Sequence, residues 1–433
     1  MPSNKSRRGG RAPASTGARS RFKWIAVGLL AAGLVLWSCY YVLIDLPQKD
    51  QERARVLVEQ GNAALNSRQV LRAIEYYGEA IELVPDFALA YNGLGMAYRA
   101  GGDKLRAERF LQQALGLDQS LVDAYNNLGI VYAEGGRAEA AEAMYQKALA
   151  ADPYSAVTLY NLGAFYAQRG LYGKAVEAYE KAIGLRANLF QAHNNLALAY
   201  IGLGKPLEAV RQYRESIRLN PQQSRAYYNL GLVYEGEGEY EEASEYYQKA
   251  LQSGFASADV HTHLGLAYEG LAREEEALGH YERALAMDAS HREAHYRIGL
   301  AQTRDGDYEQ AIEHYEKALA SDPNYAEAHY NLARAYMKQG RSAAAGQQME
   351  LFREKSEYSR EMENISRILL YLPGDATAYW KRGQVHEKYG YRDRATEEYR
   401  KALALRPGFA GAQQALKAAL QASQSAAARE VGK

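Results

Sequence analysis

Asparagine recurs at a fixed offset of 34 residues as Asn127, Asn161, Asn195 and Asn229 and returns at Asn331, with His263 and Arg297 filling the two places between. A carboxamide both donates and accepts, so a row of them on one surface can pair with the backbone of an extended polypeptide whatever its side chains. One residue earlier the series includes Asn92, Asn126, Tyr160, Asn194, Tyr228, Tyr296, Tyr330 and Trp380. Aromatic rings in a groove supply contact area at low entropic cost and often dominate binding. The chemistry suggested is recognition of a protein or peptide segment, with the aromatic C-terminal half the more selective for side chains.

Other reactive residue types fall into no catalytic pattern. His193, His261, His295 and His329 share one position of the 34-residue frame, where other units carry Tyr, which points to packing and not to a metal. His291, Glu293 and His295 superficially match a zinc-protease helix, but the glutamate is one place late and His291 falls in a turn. No phosphate loop, nucleophile elbow or paired constellation is present. The sequence therefore predicts no enzyme activity, no cofactor, no metal and no small-molecule substrate. The single cysteine, Cys39, rules out an intramolecular disulfide.

The amides need a scaffold that returns to the same place every 34 residues, and residues 122–155 display it. Leu128, Gly129 and Tyr132 lie on one helical face, Gly135-Gly136 interrupts, and Ala141, Tyr145 and Ala148 lie on a second face before Pro153. The unit reads helix, turn, helix, turn. With Tyr125 as the fourth position, the eighth is Gly61, Gly95, Gly129, Gly163, Gly231, Gly265, Gly299 and Gly383, with Ala197 and Ala333 in the gaps. The twentieth is alanine throughout, from Ala73 to Ala395, and the twenty-fourth is large, from Tyr77 to Tyr399. Small residues at two positions and a bulky one at a third describe two helices crossing closely around one filled space. Pro85, Pro153, Pro221, Pro323 and Pro407 close five of the units.

This spacing resembles the tetratricopeptide repeat family, over about 340 of the 433 residues. The resemblance implies an all-α, right-handed α-solenoid of about ten helix pairs whose first helices line a concave groove. The family's known uses are overwhelmingly protein and peptide binding. The asparagine series also resembles the amide ladder in the repeat domain of O-linked N-acetylglucosamine transferases. The residues by themselves agree with a solenoid, since each helix pair has too little apolar area to fold alone and must stack on its neighbours.

The frame breaks once. Units 1–9 occupy 54–359 and a tenth 376–409, leaving sixteen extra residues between them. The apolar series Met362, Ile365, Ile368 and Leu369 predicts either an added helix and turn over 360–375 or a lengthened second helix. Residues 410–433 read as a capping helix with a frayed end.

The N-terminus differs in kind. Residues 1–23 carry seven basic groups and no acidic one, a composition that cannot offset ordering entropy. Trp24–Ile44 then runs 21 residues without a charge, enough to cross a hydrocarbon core of about 30 Å. The sequence predicts a single transmembrane helix, with the basic side cytoplasmic and the repeats on the far face of the cell (inner) membrane, joined by a polar linker at 45–53. Beyond residue 44 there are 45 basic against 52 acidic groups, which argues against a nucleic-acid groove. The Ala-rich style is expected of a bacterial chain. The function expected is a membrane-anchored scaffold holding an extended segment; the alternative is a noncatalytic subunit in an envelope enzyme, secretion, pilus or cytochrome-maturation complex.

Overall fold

The computed structural model describes residues 46–372 and 374–431, and every regular element among them is helical: 21 α-helices in tandem packed pairs. The chain divides into two compact units at Tyr154/Ser155. In the first unit the helices are α1 (Leu46–Asn66), α2 (Val70–Leu83), α3 (Ala88–Ala100), α4 (Lys104–Leu117), α5 (Val122–Glu134) and α6 (Ala138–Ala151). The second unit begins with α7 (Ala156–Gln168), α8 (Tyr172–Leu185), α9 (Phe190–Gly202), α10 (Pro206–Leu219), α11 (Ser224–Gly236), α12 (Tyr240–Gln252), α13 (Ala258–Gly270) and α14 (Glu274–Met287). It continues with α15 (Arg292–Asp305), α16 (Tyr308–Ser321), α17 (Ala326–Lys338), α18 (Ser342–Tyr371), α19 (Ala376–Lys388), α20 (Arg392–Leu405) and α21 (Ala410–Val431). Odd-numbered helices up to α19 are first helices of a repeat and even-numbered ones second helices.

Each pair closes around the same contact. Where the eighth position is glycine, an added Cβ would stand between 2.4 Å (Gly383) and 2.9 Å (Gly129) from the side chain at position 24 of the same repeat, so a larger residue there requires that side chain to move. Tyr77, Tyr247, Tyr315 and Tyr399 are wholly buried there, as is Leu111 in the second repeat. The position-twenty alanines are buried beside them. Burying an aromatic side chain contributes on the order of 2–3 kcal/mol, so this one position supplies a large share of each repeat's stability. The turn inside each pair places position 15 in the left-handed region: glycine in eight repeats, but Arg68 (φ 59°) and Ala272 (φ 55°) in the other two. Asp103, Ser155, Ser257 and Asp375 cap first or second helices by accepting backbone N–H bonds.

Two sequence expectations change here. The polar stretch 45–53 is not a linker from Leu46 onward, because Leu46–Asp50 and the residues after it form the first turns of α1, where Pro47 needs no intrahelical donor. The sixteen extra residues form no separate helix after 359; they lengthen the second helix of the ninth repeat into the 30-residue α18. The expected cap is present as α21, with Ala419 buried against Ala395 and Tyr399. The basic tail and the predicted membrane span at 24–44 lie outside the described residues; among the described residues no helix is long and apolar enough to cross a membrane.

Candidate functional site

Within the first unit α1 touches α3 and α3 touches α5, and within the second α7 touches α9, α11 touches α13 and α15 touches α17. They form a wall, and positions five and six of each repeat sit on it. Position six reaches back to the preceding repeat by a recurring bond. Asn127 donates to Asn92 Oδ1 at 2.9 Å, Asn195 to the Tyr160 hydroxyl at 3.1 Å and Asn331 to the Tyr296 hydroxyl at 3.1 Å. Each partner lies 35 residues earlier, at position five. These three asparagines therefore tie repeat to repeat, and Asn127 and Asn195 keep further hydrogen-bonding capacity.

The candidate residues are not equally open. Asn127, Asn161, Asn195 and Asn229 are half-buried, as are Tyr160 and Tyr228, and Tyr330 is 38% exposed. Asn331 and Tyr296 are buried, and Asn331 also donates to the Glu327 carbonyl. The bond that joins these two leaves them the least open of the candidate residues. Trp380 packs on Phe409 and contributes to the capped end.

Where the amide series is interrupted, the chemistry changes. His263 turns to Glu235, with Nδ1 3.1 Å from Oε2, and Arg297 lies between Glu293 (2.8 Å) and Glu269 (3.7 Å). Glu235 and Glu269 occupy position twelve of the preceding repeat, and each also accepts from a buried position-24 hydroxyl, Tyr247 and Tyr281. Burial, reinforced by these carboxylates, pushes both phenols far above their ordinary range. Glu293 further accepts from Tyr325, and Arg292 lies over the Tyr325 ring and bonds Asp322. The frame placed these residues correctly, but nothing in the first-helix pattern alone showed that a position-six cation would choose position twelve over position five.

Each unit carries a cleft on this wall. In the first unit a cavity of about 590 Å³ is lined by amides, Asn62, Asn66 and Asn92, and by apolar Val58, Leu89 and Met96. In the second a cavity of about 750 Å³ is lined by Asp259, His263, His291, Glu293, Asp322 and Arg394 among others. The long α18 makes that second cleft. Its extension buries Tyr358 and Ile365 against Ala378 and Val385 of α19. The tenth repeat is thereby set so that Tyr391 donates to Asn324, 67 residues earlier, and Arg394 reaches the cleft.

Family models of the tetratricopeptide repeat match residues 58–121, 122–155, 154–222, 194–259, 260–293 and 376–409, and one described as TPR repeat matches 303–340. The chain belongs to the tetratricopeptide repeat family. No curated protein matches it. Similar solved structures include Pseudomonas aeruginosa PilF, at 26% identity over 48% of this chain and 94% of that one, TM-score 0.44. A structure of MamA aligns at 31% identity over 39% of this chain and 92% of that one, TM-score 0.37. YrrB, described as a TPR protein with an unusual peptide-binding site, aligns at 22% identity over 56% and 99%, TM-score 0.33. At TM-scores below 0.5 these likenesses say nothing about partners.

Proposed function

We propose that this chain is a membrane-anchored scaffold that holds extended segments of a partner protein against the first-helix wall. The observation that carries the reading is the half-exposed amide at one repeated position, Asn127 in the first unit and Asn161, Asn195 and Asn229 in the second, each with donor or acceptor capacity to spare. Backbone pairing through such groups tolerates varied side chains, while Tyr160, Tyr228 and Tyr330 add selectivity. A variant with all four asparagines changed to alanine should keep its helical circular dichroism. It should lose capture of its partner from native membranes by on the order of 100-fold, at about 0.5–1 kcal/mol per amide. Undiminished capture by that variant removes the reading.

The anchor rests on the uncharged run Trp24–Ile44 and the seven basic groups before it. The full chain should stay with membranes through alkaline extraction, and a chain lacking residues 1–44 should be released. Release of both overturns the anchor while leaving the scaffold reading intact.

A further inference from the structure

Positions four and 23 of each repeat face one another inside the helix pair. In α9–α10, His193 Nδ1 lies 2.8 Å from Gln212 Oε1, and in α17–α18, His329 Nδ1 lies 2.7 Å from Gln348 Oε1. In both, Nε2 donates to a backbone carbonyl, Ala187 at 3.2 Å and Pro323 at 3.1 Å, and the glutamine amide, which carries both an acceptor and a donor, can meet Nδ1 whether the ring is neutral or protonated. In α13–α14 and α15–α16 the glutamine is replaced by a second histidine. His261 Nδ1 lies 3.0 Å from His280 Nδ1, and His295 Nδ1 lies 3.0 Å from His314 Nδ1. The rings sit 5.3 Å and 5.0 Å apart between centroids.

Two like nitrogens at this separation share one proton, one donating and the other accepting. For the second pair the direction is fixed: His295 Nε2 lies 3.0 Å from the Ala289 carbonyl and donates to it, so in the neutral ring Nδ1 accepts from His314. A first extra proton can go to the outer nitrogen of the donor ring. A second must enter the shared line, where N–H would confront N–H and charge would confront charge. His295 is buried and the other three rings are half-buried. Burial is the leading cause holding all four below the ordinary imidazole value, His280 at about 4. Arg283 adds to this at His261 and His280, opposed at His280 by Glu276. Lys317 and His291 add to it at His295, and Lys317 at His314, opposed at both by Glu313.

We propose that these two tandem histidine pairs form an acid-sensitive latch, holding α13–α14 and α15–α16 closed while the facing Nδ1 atoms share one proton and opening them when both rings are charged. Thr262, His263 and Glu293 of the larger cleft lie on the same helices, so opening the latch also disorders that cleft. Each ring titrates lower folded than unfolded. The stabilisation is therefore complete above the unfolded value of about 6.5 and is lost as pH falls toward the folded value.

The test is amide hydrogen exchange of the full chain at pH 7.5 and 5, corrected for the intrinsic rate. Protection over residues 258–321 should fall about tenfold more than over 88–151, allowing for partial solvent screening of the rings. The H280Q/H314Q variant rebuilds the pairing already present at His193 and His329, and should abolish that difference. An equal loss in the variant overturns the latch. Direct titration of the wild-type rings by NMR decides independently of how the variant folds: His280 and His314 ionising near the ordinary 6.5 overturns it too, and depressed values support it.

Discussion

The first-helix wall of the first unit and that of α13–α17 solve one problem with different chemistry. In the second and third repeats of the first unit, positions five and six are amides, Asn92, Asn126 and Asn127, with Gly93 where the Tyr77 ring leaves no room for a Cβ. In α13–α17 the same frame carries His263, Arg297, Glu293 and Tyr325, an ionic and aromatic network. All nine histidines of the chain also fall in the second unit. A neutral amide bond between repeats is modest and tolerant of solvent, whereas a half-buried ion pair is costly to break and is coupled to its neighbours. One stretch is built to be similar along its length, the other to be particular.

The largest test of that contrast is Glu293→Leu. It leaves Arg297 with only the 3.7 Å contact to Glu269 and removes the acceptor for Tyr325. It should cost about 2–3 kcal/mol, read as a lower denaturant midpoint by circular dichroism. Next is Gly93→Asn, which would complete the amide series in the first unit but drive a side chain into Tyr77. A loss of about 1–3 kcal/mol is expected, and a neutral outcome would mean that the ring can move aside. Asn127→Ala should cost only about 0.5–1 kcal/mol, since Asn92 is then left with one partner fewer. A loss as large as that from Glu293→Leu would erase the distinction between the regions. The smallest effect is a gain: Ala272→Gly, at a left-handed φ of 55°, should stabilise by about 0.5–1 kcal/mol, and Arg68→Gly in the first unit by a similar amount.

Much of this was legible in the sequence, because a 34-residue period with glycine, alanine and tyrosine at fixed offsets leaves one way to pair the helices. The glycine at position eight and the ring at position 24 meet as their spacing implies. What the period could not show is where neighbouring copies stop being equivalent. Asn331 has the same residue type and register as Asn127, yet it is buried because Tyr296 and the Glu327 carbonyl hold it. The division at Tyr154/Ser155 leaves the frame unbroken and so leaves no mark in it. The fate of the sixteen extra residues was open as well, since an apolar period of 3.6 fits a new helix and an extended one equally.

That extension makes α18 a phase-setting element. Sixteen residues at about 100° each amount to some four and a half turns, so the tenth repeat docks on nearly the opposite flank of the helix, about 24 Å further along it. Gaining or losing a single residue inside α18 would swing everything after it by about 100° and separate Tyr391 from Asn324. The length of this helix is therefore a structural quantity in its own right: exchanging an exposed residue along it leaves the docking of the tenth repeat in place, while changing its residue count does not.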